Sequence, residues 1–89
     1  MGSRFSVLFV DDEPGLADLT ATFVEREDER ISAETATDVE AGLDRLAEAD
    51  IDCIVSDYDM PEQNGLDFLG AVREQSERIP FILYTGKGS

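Results

Sequence analysis

Three points along the 89-residue chain place residue types suited to metal and phosphate chemistry just past an apolar run. Asp11-Asp12 follow Phe5-Ser6-Val7-Leu8-Phe9-Val10, Asp57 follows Ile51-Asp52-Cys53-Ile54-Val55-Ser56, and Thr85-Gly86 follow Pro80-Phe81-Ile82-Leu83-Tyr84. Carboxylates gathered at one place repel one another, and a hard divalent cation removes that cost. Magnesium takes oxygen ligands, keeps some of its water, and is held by one or two carboxylates together with phosphate oxygens. A carboxylate is also a nucleophile that can accept a phosphoryl group as an acyl phosphate. Transfer of that kind depends mainly on positioning and charge neutralisation. Each piece alone has a plainer reading: Asp11-Asp12 as a solvated helix N-cap, Asp57 as a loop carboxylate in an acid-rich chain. Their joint placement at strand ends is what favours a magnesium-dependent phosphate site.

The elements that would position these groups alternate. Phe5 to Val10 has strand length and stops at the acidic pair. Pro14 suits the first turn of a helix, in which Leu16, Leu19 and Phe23 recur at i, i+3 and i+7 as an inward stripe, and the polar stretch Glu25 to Arg30 closes it. Ile31 to Ala36 alternates as a weaker strand. Thr37-Asp38-Val39-Glu40 fits a capping box ahead of a helix with Val39, Leu43, Leu46 and Ala47 inward. Ile51 to Ser56 is a third strand, Asn64-Gly65 marks a turn before a helix with Leu66, Leu69 and Val72 inward, and Pro80 to Tyr84 is a fourth strand. Pro61 and Gly65 shape the loop after Asp57, the glycine by tolerating unusual backbone angles. Such alternation predicts an α/β fold, a doubly wound parallel sheet with helices on both faces. Ligands of such sheets bind beyond the carboxyl ends of the strands, which is where the acidic pair, Asp57 and Thr85-Gly86 would converge.

Composition narrows the partners. With 21 acidic residues against 7 basic ones, no histidine and a net charge of −14, the chain lacks the basic clusters that nucleic acid or an anionic membrane would need. Divalent cations and basic partner surfaces are its natural counterparts, and the spread of acid along the chain fits a salt-rich cytoplasm that screens self-repulsion. Cys53, the only cysteine, lies within an apolar run and reads as a small buried hydrophobe, with no disulfide or cysteine metal cluster. No apolar stretch approaches the length of a membrane span and no signal pattern opens the chain, so a single, intracellular domain over 1–89 is expected.

The motifs together resemble the response-regulator receiver family of two-component signalling. Val10-Asp11-Asp12-Glu13-Pro14 resembles that family's acidic pair. Val55-Ser56-Asp57-Tyr58-Asp59-Met60-Pro61, with Gly65 beyond, resembles its phosphorylation-site motif, and Leu83-Tyr84-Thr85-Gly86 is similar to its switch-threonine strand end. The resemblance implies a flavodoxin-like receiver fold and a regulatory phosphoacceptor in place of an enzyme, taking a phosphoryl group from a sensor histidine kinase with Mg2+ as cofactor. It implies Asp57 as the phosphoacceptor and as a metal ligand, Asp12 as a direct metal ligand, Asp11 acting on the metal through water, and Asp59 offering its backbone carbonyl. It implies Thr85 as the switch that hydrogen-bonds a phosphoryl oxygen, with Gly86 leaving room beside it. The family also carries a fifth strand, two further helices, a strand-five lysine and an aromatic switch residue. The pattern here ends after the fourth strand, and Lys87 follows Thr85 too closely to be that lysine. A partial receiver is therefore expected, with weakened phosphotransfer and with self-association through the exposed edge of the fourth strand.

Two other functions compete. Asp57-Tyr58-Asp59 is similar to the D-x-D motif of haloacid-dehalogenase-type phosphohydrolases, but Pro61 stands where threonine or valine is required and two strands precede the motif instead of none. A non-phosphorylated binding or dimerisation module on a receiver scaffold is the other. Gly86-Lys87-Gly88-Ser89 is not a P-loop, and Asp57-x-Asp59 with Pro61 two positions on is not an EF-hand start.

Overall fold

Apolar strand residues that alternate between two faces need cover on each, and the chain supplies it with helices above and below one sheet. A computed structural model describes residues 4–60 and 63–84. They form β1 (Phe5–Val10), α1 (Pro14–Glu27), β2 (Ile31–Ala36), α2 (Val39–Glu48), β3 (Cys53–Asp57), α3 (Gly65–Gln75) and β4 (Phe81–Tyr84). All strand pairs are parallel and the order is β2-β1-β3-β4. This is the doubly wound, flavodoxin-like parallel sheet expected from the sequence.

The register aligns the strand ends. Val10 pairs with Ser56, and Asp57 pairs with Tyr84, so β1, β3 and β4 finish at one edge of the sheet. On one face Val7, Phe9 and Cys53 pack with Ala21 of α1. On the other, Leu8, Val10 and Ile54 pack with Val39 of α2 and with Phe68 and Val72 of α3. Phe68 is fully buried and meets the Phe81 ring edge-on at a centroid distance of 5.4 Å, which ties α3 to β4. Cys53 is buried as expected; burial first, and the nearby Asp52 charge second, push its thiol pKa up.

Several local expectations are corrected. The face of α1 turned to the sheet carries Ala17, Ala21 and Val24, whereas Leu16, Leu19 and Phe23 are exposed. Small residues let the helix lie close to the sheet, and the larger apolar stripe is left on its outer side. The α2 cap is Asp38, whose side chain accepts from the Ala41 N–H at 2.7 Å, and not Thr37. Of the α2 stripe, Val39 is buried and Leu43 and Leu46 half-buried, while Ala47 is exposed. A capping box does occur, at α3: Asn64 accepts from the Asp67 N–H and Asp67 accepts from the Asn64 N–H. Within α3, Phe68 takes the buried place expected for Leu66, which is exposed. β3 runs from Cys53 to Asp57, starting two residues later and ending one later than expected; ahead of it Asp52 is tied to Ser6, its N–H donating to Ser6 O and its carboxylate accepting the Ser6 N–H, both at 2.8 Å.

The two sheet edges differ. At β2 the Ala33 N–H is taken by the Glu25 side chain at 2.8 Å, which blunts that edge. At the other side β4 is the edge among the described residues, with Ile82 exposed. No described helix is long and apolar enough to cross a membrane.

Candidate functional site

The carboxyl edge of the sheet gathers the acids. Asp11 sits one residue past β1, its N–H donating to Ala36 O at 3.1 Å, so the β1–β2 ladder sets its height. Asp57 is the last residue of β3, held between Val10-Ser56 pairing on one side and Tyr84 on the other. Oxygens of Asp11, Asp12 and Asp57 all lie within 4.8 Å of one another. Asp11 and Asp57 are buried to about the same extent, each 1% exposed, while Asp12 is half-buried at the rim.

Local hydrogen bonds fix the directions of these groups. Asp11 Oδ1 accepts the Glu13 N–H at 2.9 Å and Asp57 Oδ1 accepts the Asp59 N–H at 3.1 Å, so each buried acid is braced by the amide two residues on. The plainer reading of the acidic pair as a helix cap does not hold. Glu13 is the N-cap of α1, without a side-chain cap bond, and Asp11 instead turns inward. Behind Asp57, the Gly65 N–H donates to Tyr58 O at 2.9 Å and Tyr58 N–H donates to Tyr84 O at 2.8 Å. Gly65 has no left-handed backbone angle. Its need for a missing side chain is one of space, since a Cβ there would collide with Leu83 and stand 2.9 Å from Asp57 O.

Of the residues expected at the site, Asp11, Asp12 and Asp57 are brought together and Asp59 adjoins them through its amide; Thr85, Gly86, Lys87 and Pro61 lie outside the described residues. One participant was missed. Tyr84 donates its phenol O–H to Asp11 Oδ2 at 2.6 Å. Its place at the end of the fourth strand, directly before Thr85, was the signal for it. Burial first, then the hydrogen bond to Asp11 and the charges of Asp11, Asp57 and Asp12, push the Tyr84 pKa far above that of an ordinary phenol, keeping it a donor.

The donor set can be tested against the cation the fold family implies. Three carboxylates with no histidine or cysteine among them form a hard, oxygen-only set, which suits magnesium and not zinc. The residues fit. A concavity of about 800 Å³ lies at the opposite end of the strands, between Ser6, Ile51, Gln75 and Ile79, away from this chemistry.

Residues 7–89 match the family described as the response regulator receiver domain. The response regulator SaeR of Staphylococcus aureus is 37% identical over 81 residues, which is 91% of this chain and 34% of SaeR. The chain thus spans about a third of the length of the curated relatives it matches. Among solved structures, the chemotaxis protein CheY4 of Vibrio cholerae superposes with a TM-score of 0.88 at 30% identity, covering 98% of this chain and 72% of that one. The response regulator TrrA of Thermotoga maritima, solved in complex with Mg2+-BeF, superposes with a TM-score of 0.84 at 27% identity over 96% of this chain and 72% of its own. TrrA is also known in complex with the histidine kinase ThkA, a structure that superposes with a TM-score of 0.83 at 27% identity over 97% of this chain and 72% of that one.

Proposed function

The chain belongs to the response regulator receiver family, and from that premise we propose that residues 1–89 form a partial receiver domain in which Asp57 takes a phosphoryl group from a histidine kinase with Mg2+ bound beside it. The observation that carries this reading is the convergence of Asp11, Asp12 and Asp57 oxygens within 4.8 Å at the carboxyl edge of the sheet. The domain is regulatory and not a classical enzyme. Neither a D-x-D phosphohydrolase nor a binding module that is never phosphorylated is favoured by the family match.

The residue roles are those the family resemblance implies, and the proximity of the three acids supports them. Asp12 and Asp57 would hold the cation directly, Asp11 through water, and Asp59 through its backbone carbonyl. When bound, magnesium supplies neutralisation of the carboxylate and phosphoryl charges. Asp57, aimed by the Asp59 amide, attacks the phosphorus of the donor phosphohistidine: an O–P bond forms, the N–P bond breaks, and the electron pair returns to the histidine nitrogen. Thr85 would then read the acyl phosphate through its hydroxyl and shift the domain between two states. A cytoplasmic setting belongs to this reading, since the kinase's donor histidine must reach the same compartment. Self-association through β4 belongs to it too. That strand is an edge among the described residues with Ile82 exposed, and sedimentation at micromolar concentration should find dimers.

The decisive experiment is thermal unfolding with and without magnesium at matched high ionic strength, for the native chain and Asp57→Asn. Saturation at 100 times the dissociation constant stabilises by about 2.7 kcal/mol, roughly 10–20 °C for a domain of this size. The gain should shrink in Asp57→Asn, and a small-molecule phosphodonor should add one phosphate to the native chain only. Magnesium acting no better than matched ionic strength would overturn the reading.

A further inference from the structure

We propose that Tyr84 is a positioning residue for the acid cluster: its phenol holds the Asp11 carboxylate in the orientation from which it serves the cation, tying the end of β4 to the end of β1. The inference rests on the magnesium-site reading above and deepens it.

Asp11 is 1% exposed, so bulk water cannot solvate or orient it. Each of its oxygens instead has a protein donor. Oδ1 takes the Glu13 N–H at 2.9 Å and Oδ2 takes the Tyr84 O–H at 2.6 Å. The two bonds differ in kind. Glu13 lies two residues away and would follow the loop wherever it moved, whereas Tyr84 lies 73 residues away and fixes Asp11 relative to the rest of the sheet. The short distance is that of an O–H donor on an ionised carboxylate, among the stronger hydrogen bonds in proteins.

The path of that bond gives it reach. In the sheet β3 stands between β1 and β4, and the ladder partner of Tyr84 is Asp57 itself. The phenol therefore passes the phosphoacceptor strand to reach the acid on its far side. Tyr84 borders a cavity of about 270 Å³ on the α1 face with Phe9, Val55 and Leu16, so its apolar body lies among apolar neighbours while the hydroxyl reaches Asp11. Partners that orient ligand side chains in this way set metal affinity, and losing one costs typically 10–100-fold. A ring that merely fills the α1 face would show none of this.

Calorimetric titration with MgCl2 at fixed high ionic strength separates the two cases. Tyr84→Phe keeps the ring and should weaken magnesium binding about tenfold, while the same change in an Asp11→Asn background should alter it little. Unchanged affinity in Tyr84→Phe, or an equal loss in both backgrounds, would overturn the proposal. A spectroscopic arm serves even if Tyr84→Phe folds poorly. The chain has two tyrosines and no tryptophan, so Tyr58→Phe leaves Tyr84 as the only near-ultraviolet chromophore of its kind. Magnesium draws charge from Asp11 and should shift that band to the blue, with the calorimetric midpoint; no shift counts against the proposal. A native chain that fails to bind magnesium overturns both readings, whereas binding that ignores Tyr84 overturns this one alone.

Discussion

Gly65→Ala should destabilise the domain although it places a better helix former in a helix. Gly65 opens α3, directly behind the end of β3. A Cβ added there would overlap Leu83 Cδ2 and stand 2.9 Å from Asp57 O and 3.1 Å from Tyr58 Cα. The Leu83 side chain can rotate away, but the two backbone atoms cannot retreat without moving the strand end that presents Asp57. Overpacking of this type costs about 1–3 kcal/mol, set against at most about 1 kcal/mol of helix propensity gained by replacing glycine. The net loss is roughly 1–2 kcal/mol, or about 5–15 °C in Tm for a domain this small. Gly70→Ala is the internal control. It lies inside the same helix with no atom within 4 Å of the added methyl, so it should gain about 0.5–1 kcal/mol. Urea unfolding monitored by circular dichroism reads the two variants on one scale. Since Asp57 O is among the displaced atoms, Gly65→Ala should also weaken magnesium binding and Gly70→Ala should not. Equal stabilisation by both alanines would refute the close-approach argument.

Two further outcomes are expected. Phe23→Ser and Leu19→Ser should each change stability by no more than about 0.5 kcal/mol in urea unfolding, as substitutions on an exposed surface do, since their side chains are 62% and 67% exposed; a loss above about 2 kcal/mol would return them to the core. The Asp28 carboxyl, held by hydrogen bonds from Arg30 at about 2 against an ordinary 3.8, stabilises the fold above pH 3.8, and that contribution fades as pH falls toward 2. Carbon-13 chemical shifts at pH 3 should therefore find it ionised in the native chain and more protonated in Arg30→Ala, which loses the guanidinium but keeps the backbone N–H bond.

How far the sequence could be read depended on whether the signal was local. The apolar runs and their acidic ends survive intact: β1 is Phe5–Val10 as read, and Asp11, Asp12 and Asp57 meet because a parallel sheet aligns carboxyl ends. Helix faces were read less well. In α1 two apolar stripes run side by side, Ala17-Ala21-Val24 and Leu16-Leu19-Phe23, and periodicity favours the bulkier one although the sheet takes the smaller. The cap at Asp38 and the capping box at Asn64 show the same limit, since neighbouring residues each satisfied a pattern and only the path of the chain chose between them. Tyr84 escaped notice because its partner is 73 residues away and a strand aromatic reads first as core. The switch expectation on Thr85 lies outside the described residues and stays with the resemblance that raised it.

The interior place of β1 sets an order on how the molecule comes to exist. Its four buried residues, Val7 to Val10, have partners on both sides, and the second partner, β3, begins only at Cys53. Until β3 is made, a strand-length apolar run is paired on one side only, a circumstance in which nascent chains aggregate. The heavy negative charge of the intervening segment is well suited to keep such chains apart. The acid cluster exists only once β3 pairs with β1, because that pairing carries Asp57 beside Asp11 and Asp12. A cation held there would therefore favour the paired over the unpaired arrangement of β1 and β3, joining metal binding to closure of the sheet.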